Sequence, residues 1–303
     1  EGFGPHDERQ SLEVLKEALK EGIRHFDTAG FYAHGRSEEL LQKALKGRRR
    51  SSFISTKGGL KWQGRQVVHD GSPEGLRRAL TESLKRLKTD YIDLFQLHWP
   101  DPKVPVLESI DALKGFQAEG LIRYWGVGNL TEDEVRQYLS SYKDILHQVH
   151  FNPLHRSDRV LEAGSQFCIN CIISPLEQGL LSSSKSSMGR AALSKRDIRR
   201  RNPYFMDPAV VKRCAELREL SSKAGLPLSV SVLLWIASKE HVHAIVPGPR
   251  RTEQLKEIVL FKDGVKKEGL LADESMETIL NERAVREILP EGLWEALESL
   301  PTG

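Results

Sequence analysis

The sequence predicts an α/β protein in which parallel strands close into a barrel. Apolar strand-like runs alternate with amphipathic helices of about 10–15 residues, the pattern of βαβ units laid on a parallel sheet. Three of these runs, GIRHFDTAGFY, SFISTKGG and YIDLFQLHWP, end near a reactive side chain: Asp27 with Tyr32 just beyond it, Lys57, and His98. On each run the reactive residue shares a face with its i−2 and i−4 neighbours. Asp27 lies with His25 and Ile23, Lys57 with Ser55 and Phe53, and His98 with Gln96 and Leu94. Inward layers capped by one ionisable group per strand are what a barrel mouth requires, because there the strand ends converge.

The elements follow in order. Leu12, Leu15 and Leu19 stand at helical spacing near residues 10–21, and the strand GIRHFD follows. RSEELLQKALKG reads as a helix closing on Gly47, then SSFISTK as a strand. SPEGLRRALTESLKRL places Leu76, Leu80, Leu84 and Leu87 on one face, with Ser72 as N-cap and Pro73 just inside. After the strand YIDLFQLHW come the helix VLESIDALKGFQAEG, the strand LIRYWGVGN, and a helix opened by a capping-box pattern from Thr131 to Glu134. ILHQVHFN, the short helix DRVLEAGSQ and the buried strand FCINCIISP complete the middle of the chain. PAVVKRCAELRELSSKAG and SVSVLLWIASKE are helices, VHAIVPGP is the last strand, and RTEQLKEIVLF is the helix behind it.

Seven strands result. A closed barrel of eight needs one more, and nothing before residue 10 can supply it. The expectation is an open sheet or a first strand missing from the sequence, and the absent initiator Met favours the second. Residues 181–205, rich in Ser and Arg, are too long for a passive connection and are expected to form a lid or mobile loop. Residues 1–261 are expected to form the barrel, and 262–303 a C-terminal segment packed on or beside it.

A net charge of +3 over 303 residues does not suggest nucleic acid, and no apolar run approaches the length of a membrane span. The first residues carry no secretory signal. Three cysteines, Cys168, Cys171 and Cys214, fit a reducing, cytoplasmic setting. Cys168 and Cys171 lie three apart on a strand and point to opposite faces, so they read as buried thiols rather than a metal or redox pair. Gly126-x-Gly128 lacks the third glycine of a dinucleotide fingerprint, since Thr131 takes its place. No His-x-His pair with matching carboxylates sits at a strand end, so no metal site is expected.

Each reactive residue has an ordinary structural explanation when taken singly. Asp27 would be a turn residue, Lys57 a solvated strand end, His98 a core histidine and Tyr32 a packing aromatic. Together they define a chemistry. A phenol exchanges protons poorly at neutral pH, and an adjacent ammonium favours phenolate; a hundredfold gain in acidity corresponds to roughly 2.7 kcal/mol. Lys57 supplies that charge, Asp27 keeps the ammonium protonated and oriented, and His98 hydrogen-bonds a substrate oxygen. Tyr32 is then the general acid for a carbonyl being reduced, or the base for an alcohol being oxidised. Phe31, Trp62 and Trp99 lie in loops above the mouth, where large rings shape a carbonyl site, and His34 and Arg65 add polarity for a hydroxylated substrate.

At this point the chain resembles the aldo-keto reductase family from about Gly4 to Phe261. The stretches that carry the resemblance are FDTAGFYAHGRSEELL, STKGG, DLFQLHWPD, IRYWGVGN, HQVHFNP and SPLEQGLLS. It looks like a member of the short-loop branch, near bacterial reductases and potassium-channel β subunits. The resemblance implies a (β/α)8 TIM barrel, an NADP(H) cofactor, a small carbonyl substrate and the tetrad Tyr32, Lys57, Asp27 and His98. It further implies that Asn129 and Gln148 contact the nicotinamide carboxamide, with Gly128 where Ser is usual and Ile173 where a stacking aromatic is usual. Ser174, Leu176, Gln178, Gly179 and Leu181 fall along the pyrophosphate. In PGPRRTEQLKEI, Pro247 and Gly248 precede Arg250 and Arg251, which match the 2′-phosphate clamp and favour NADPH over NADH. Gln254 and Glu257 match adenosine contacts, and Ile258 stands where Asn is usual. Arg48–Arg50 read as a solvated patch; Arg199–Arg201 read as solvent-facing or as helpers on cofactor phosphate. The rival reading is an NADP(H)-binding regulatory subunit with little turnover. Oligomeric state and physiological substrate stay open.

Overall fold

The computed structural model describes residues 7–64, 66–183, 193–195, 197–267, 289 and 292–301. Arg65 and most of the segment 262–290 therefore lie outside the described residues. The chain divides into two compact units, one of Glu8–Val149 with Glu162–Asn170, the other of His150–Leu161 and the chain from Cys171 onward.

The first unit runs α1 (Glu8–Lys20), β1 (His25–Asp27), α2 (Arg36–Ala44), β2 (Phe53–Gly58), β3 (Leu60–Gln63), β4 (Gln66–His69), α3 (Pro73–Leu87), β5 (Ile92–Leu97), α4 (Val106–Ala118), β6 (Ile122–Gly128) and α5 (Glu132–Leu139), ending on β7 (Ile145–His150). The strands of its main sheet pair in parallel in the order β1-β2-β5-β6-β7, with Asp27 opposite Ser55, Lys57 opposite Gln96, Gln96 opposite Gly126 and Gly128 opposite Gln148. This register staggers the reactive positions, Lys57 lying two residues beyond the partner of Asp27 and His98 two residues beyond the partner of Lys57. Ser72 caps α3 through Gly75 N–H with Pro73 at its first turn, and Thr131 and Glu134 close the expected capping box on α5. Leu76 and Leu80 are fully buried, each burial contributing about 1.5–3 kcal/mol.

The later elements are α6 (Asp158–Ala163), β8 (Cys168–Ile173), α7 (Pro203–Met206), α8 (Pro208–Lys223), α9 (Leu228–Ala237), β9 (Ala244–Ile245), α10 (Thr252–Lys267) and α11 (Leu293–Glu298). In the second unit Cys171 and Ile172 pair in parallel with Ala244 and Ile245. Helix α9 is apolar on every side and buried from Leu228 to Ile236, where Trp235 stacks on Phe151 with ring centroids 5.6 Å apart. No single described helix is long and apolar enough to cross a membrane. All three cysteines are buried free thiols.

The structure adds three details to the sequence reading. Strands β3 and β4 form a separate antiparallel hairpin, pairing Trp62 with Val67, that the sequence did not announce. Both strands lie at the surface, so burial imposes no apolar alternation on them. The last strand shrinks to two residues. Helix α10 continues through residue 261 to Lys267, so no break in secondary structure falls where the C-terminal segment was expected to begin.

Glycines of the GVGN run serve sheet packing. A Cβ on Gly126 would stand 2.5 Å from the Leu146 carbonyl oxygen of the adjacent strand. Gly126→Ala should therefore force β6 and β7 apart, costing about 1–3 kcal/mol as overpacking does. A calorimetric melting temperature equal to that of the parent protein would contradict this.

Candidate active site

The centre of the first unit is a buried ion pair. The Lys57 Nζ donates to Asp27 Oδ2 at 2.5 Å and to the Thr28 carbonyl at 2.8 Å. Lys57 is only 3% exposed, and a buried ammonium without such partners is costly. Asp27 uses its other oxygen, Oδ1, to accept from Gln148 Nε2 at 2.8 Å, so one carboxylate ties together side chains from β1, β2 and β7.

Tyr32 opens a short 3-10 turn after β1, in which Ala33 and His34 take left-handed backbone angles. That turn sets the Lys57 Nζ 5.4 Å from the Tyr32 ring centroid, close enough for its charge to act on the phenol. The turn is itself buttressed: Arg86 lies against Gly30 and Gly35 and pairs with the fully buried Glu38 at 2.6 Å, and Glu38 also accepts from Thr56, the neighbour of Lys57.

The electrostatics differ from the sequence reading in one respect. Although Tyr32 as a whole is 38% exposed, desolvation of its hydroxyl raises the pKa, and the opposing pull of Lys57 does not cancel this rise, to which Asp27 adds. The resting side chain is a neutral phenol rather than a phenolate. His98 packs edge-on against the Tyr32 ring with centroids 5.6 Å apart. It is 8% exposed, its Nδ1 has no hydrogen-bond partner among the described residues, and burial reinforced by the Lys57 charge lowers its pKa to about 3.

Aromatic rings flank this centre. Phe31 stacks on Trp62 at 4.8 Å, His34 stacks on the same indole at 4.7 Å, and Trp62 Nε1 donates to the Phe31 carbonyl. Trp99 is 45% exposed beside His98. The expected amide-binding pair lies in this unit as well. Asn129, at φ 60°, donates its Nδ2 to the His98 carbonyl at 2.9 Å. Neither its Oδ1 nor Gln148 Oε1 has a hydrogen-bond partner among the described residues. A Cβ on Gly128 would stand 3.0 Å from that same His98 carbonyl, a tight contact.

The second unit holds the remaining expected contacts. Ser174 and Gln178 sit in a loop with positive φ, Gly179 follows, Leu176 is half-buried, and Leu181 is wholly buried as a core side chain. Arg199 is fixed by Asp197 at 2.7 Å and reaches the Gln178 carbonyl at 3.3 Å. Burial lowers the Arg250 pKa, and repulsion from Arg199 and Arg251 lowers it further against the attraction of Asp197. Asp197 thus faces both Arg199 and Arg250. Pro247 is half-buried and Gly248 exposed beside them. Gln254 Oε1 accepts from the Arg250 and Arg251 amides, capping α10, and Glu257 accepts from Ser229. Two residues went unnoticed in the sequence. Asp197 had no signal beyond its place beside the arginines. Glu177, between two expected contacts, is 1% exposed, and only its burial reveals it. Among the described residues no cluster of three or more His, Cys, Asp or Glu could hold a metal ion.

Comparison with known proteins now decides the family. The model of the Aldo/keto reductase family matches residues 1–264. The chain belongs to the aldo/keto reductase family. An aldo-keto reductase of Bacillus subtilis, YhdN, is 30% identical over 263 residues, spanning 84% of this chain and 79% of that protein. The NADH-specific methylglyoxal reductase of Escherichia coli is 29% identical, spanning 84% of this chain and 83% of its own length. The solved structure of the glycerol dehydrogenase AKR11B4 from Gluconobacter oxydans superposes with a TM-score of 0.75 at 26% identity, covering 94% of this chain and 86% of that one. This aldo/keto reductase accordingly has the (β/α)8 barrel class of fold and is an oxidoreductase by family.

Neutrality of His98 is measurable. An unfolded histidine takes a proton near 6.5, whereas the folded ring stays neutral to about 3. Its contribution to stability is therefore complete above 6.5 and is lost as pH falls toward 3. Imidazole nitrogen shifts of His98 should remain those of a neutral ring from about pH 9 down to about pH 5; a titration midpoint near 6.5 would show the burial to be misjudged.

Proposed function

We propose that this aldo/keto reductase reduces an aldehyde or ketone, with sugar-like carbonyls in its range, at the expense of NADPH. The observation that carries the reading is the Lys57 ammonium, held by Asp27, lying 5.4 Å from the Tyr32 ring centroid while His98 packs edge-on against the same ring. When bound, the nicotinamide supplies the hydride that reaches the carbonyl carbon. Tyr32 gives its phenolic proton to the carbonyl oxygen, and the alcohol forms. The phenolate left on Tyr32 is stabilised by Lys57 and takes its proton back from water. Neutral His98 donates a hydrogen bond that holds the carbonyl oxygen toward Tyr32. Phe31, Trp62 and Trp99 wall the substrate, and His34 offers a polar edge.

Each unit holds residues that match the family's contacts to a nicotinamide dinucleotide. Asn129 Oδ1 and Gln148 Oε1 would accept from the carboxamide amino group. Ser174, Leu176, Gln178, Gly179 and Leu181 belong to the stretch that resembles the family's pyrophosphate loop. Arg250 and Arg251, with Arg199 beside Arg250, form a basic cluster suited to a 2′-phosphate dianion. This supports NADPH, even though one relative is an NADH-specific enzyme.

Tyr32→Phe should lower kcat by about 10²–10⁴-fold, the usual weight of a general acid, while fluorescence titration gives an NADPH Kd close to the parent value. Full turnover by that variant would remove Tyr32 from the chemistry. Because burial raises the Tyr32 pKa, the reductive rate should hold through neutral pH and fall only above about pH 10. Arg250→Ala should raise KM for NADPH and leave KM for NADH unchanged; a parent enzyme that prefers NADH would overturn the assignment of the arginines. Tight NADPH binding with no consumption across aldehydes, ketones and sugars would instead favour a regulatory subunit.

A further inference from the structure

Glu177 interrupts the row of expected cofactor contacts, yet it is the most heavily bonded side chain in its loop. Its Oε2 lies 2.9 Å from His150 Nε2 and 2.8 Å from Asn152 Nδ2, and its Oε1 accepts from Asn202 Nδ2 at 2.6 Å. Burial alone would raise its pKa, but the hydrogen bonds from His150, Asn152 and Asn202 outweigh that and hold it below the usual carboxylate range. The charge is thus kept in the interior, where an ionised group persists only with such partners.

The partners come from two separate segments. Asn152 also donates to the Ser174 carbonyl at 3.0 Å, while its Oδ1 accepts from the Leu154 and His155 amides. His150 is backed by His155, stacked at 3.9 Å. Asn202 ends the Asp197–Arg201 turn and caps α7 through the Tyr204 amide. Arg199 of that turn touches the Gln178 carbonyl. Between Ser174 and Gln178, three non-glycine residues hold positive φ, a conformation that costs of order 1–3 kcal/mol each unless the surroundings enforce it. A loop with such a path needs an anchor, and Glu177 supplies it.

We propose that Glu177 is a positioning residue that fixes the 174–179 loop and docks the Arg199 turn on it, so that both are already in place when a dinucleotide arrives. This rests on the proposed cofactor reading. Preorganised donors bind more tightly because no ordering cost is met on binding. The loop serves the pyrophosphate, which NADPH and NADH share, so Glu177 sets affinity for both.

The test is fluorescence titration of the full chain with NADPH and with NADH, alongside melting temperatures. Glu177→Gln removes the charge at constant size. Asn202→Asp keeps the oxygen that caps α7 but turns a carboxylate toward Glu177. Each folded variant should bind both dinucleotides more weakly by about tenfold or more, as expected for loss of a charge-assisted bond, with kcat at saturating cofactor changed less than about threefold. The double variant Glu177→Gln/Asn202→Asp restores a donor–acceptor pair with roles reversed and should recover part of the affinity. Folded variants that bind both dinucleotides like the parent would overturn the proposal, as would a loss confined to NADPH. A parent protein that binds neither dinucleotide would overturn the cofactor reading and this proposal with it.

Discussion

The ammonium of Lys57, buried against the Asp27 carboxylate, is the constraint around which the first unit is arranged. Removing either partner strands a charge in the interior, a loss of several kcal/mol. The same pair orients the groups proposed to carry the chemistry. The remaining Asp27 oxygen fixes Gln148, and the Thr28 carbonyl bonded to Lys57 sits at the entry to the turn that carries Tyr32. Stability and reactivity thus draw on one arrangement, since the interaction that satisfies the buried lysine also aims it at the phenol.

The acid–base character of the site follows from competition between solvent exclusion and charge. For Tyr32, exclusion wins, and the hydroxyl keeps its proton. For His98, exclusion and the neighbouring ammonium act in the same direction, and the ring stays neutral. A neutral donor next to a neutral phenol suits proton delivery to an oxygen that gains negative charge during reaction. Lys57 then has most influence when that proton leaves, because a phenolate beside an ammonium is stabilised as a neutral phenol is not.

Much of this was legible in the sequence. Alternating runs announced the parallel sheet, and face-sharing on each strand is enough to set Asp27, Lys57 and His98 on the inward side. Caps at Ser72 and Thr131 were readable because side-chain chemistry and spacing suffice to specify them. What escaped depended on distant packing. The direction of the Tyr32 pKa shift could not be read, since sequence names the lysine but not the amount of water around the hydroxyl. Glu177 was passed over because a glutamate in a polar loop is ordinarily solvent-facing, and only His150, Asn152 and Asn202 gathering around it make it otherwise. The hairpin hid for the opposite reason, being too exposed to impose a pattern.

That hairpin has a bearing on how the protein changes over generations. Strands β3 and β4 make a sheet of their own, inserted between β2 and α3, and bring Trp62 to the rings beside Tyr32. None of its backbone pairing is shared with the strands that carry Asp27, Lys57 or His98. Lengthening it, shortening it or exchanging its tip would reshape the proposed substrate wall without breaking the strand pairing behind the proposed proton-transfer groups. Selectivity for one molecule over another can therefore drift within about ten residues of chain, at little risk to the scaffold that performs the reaction.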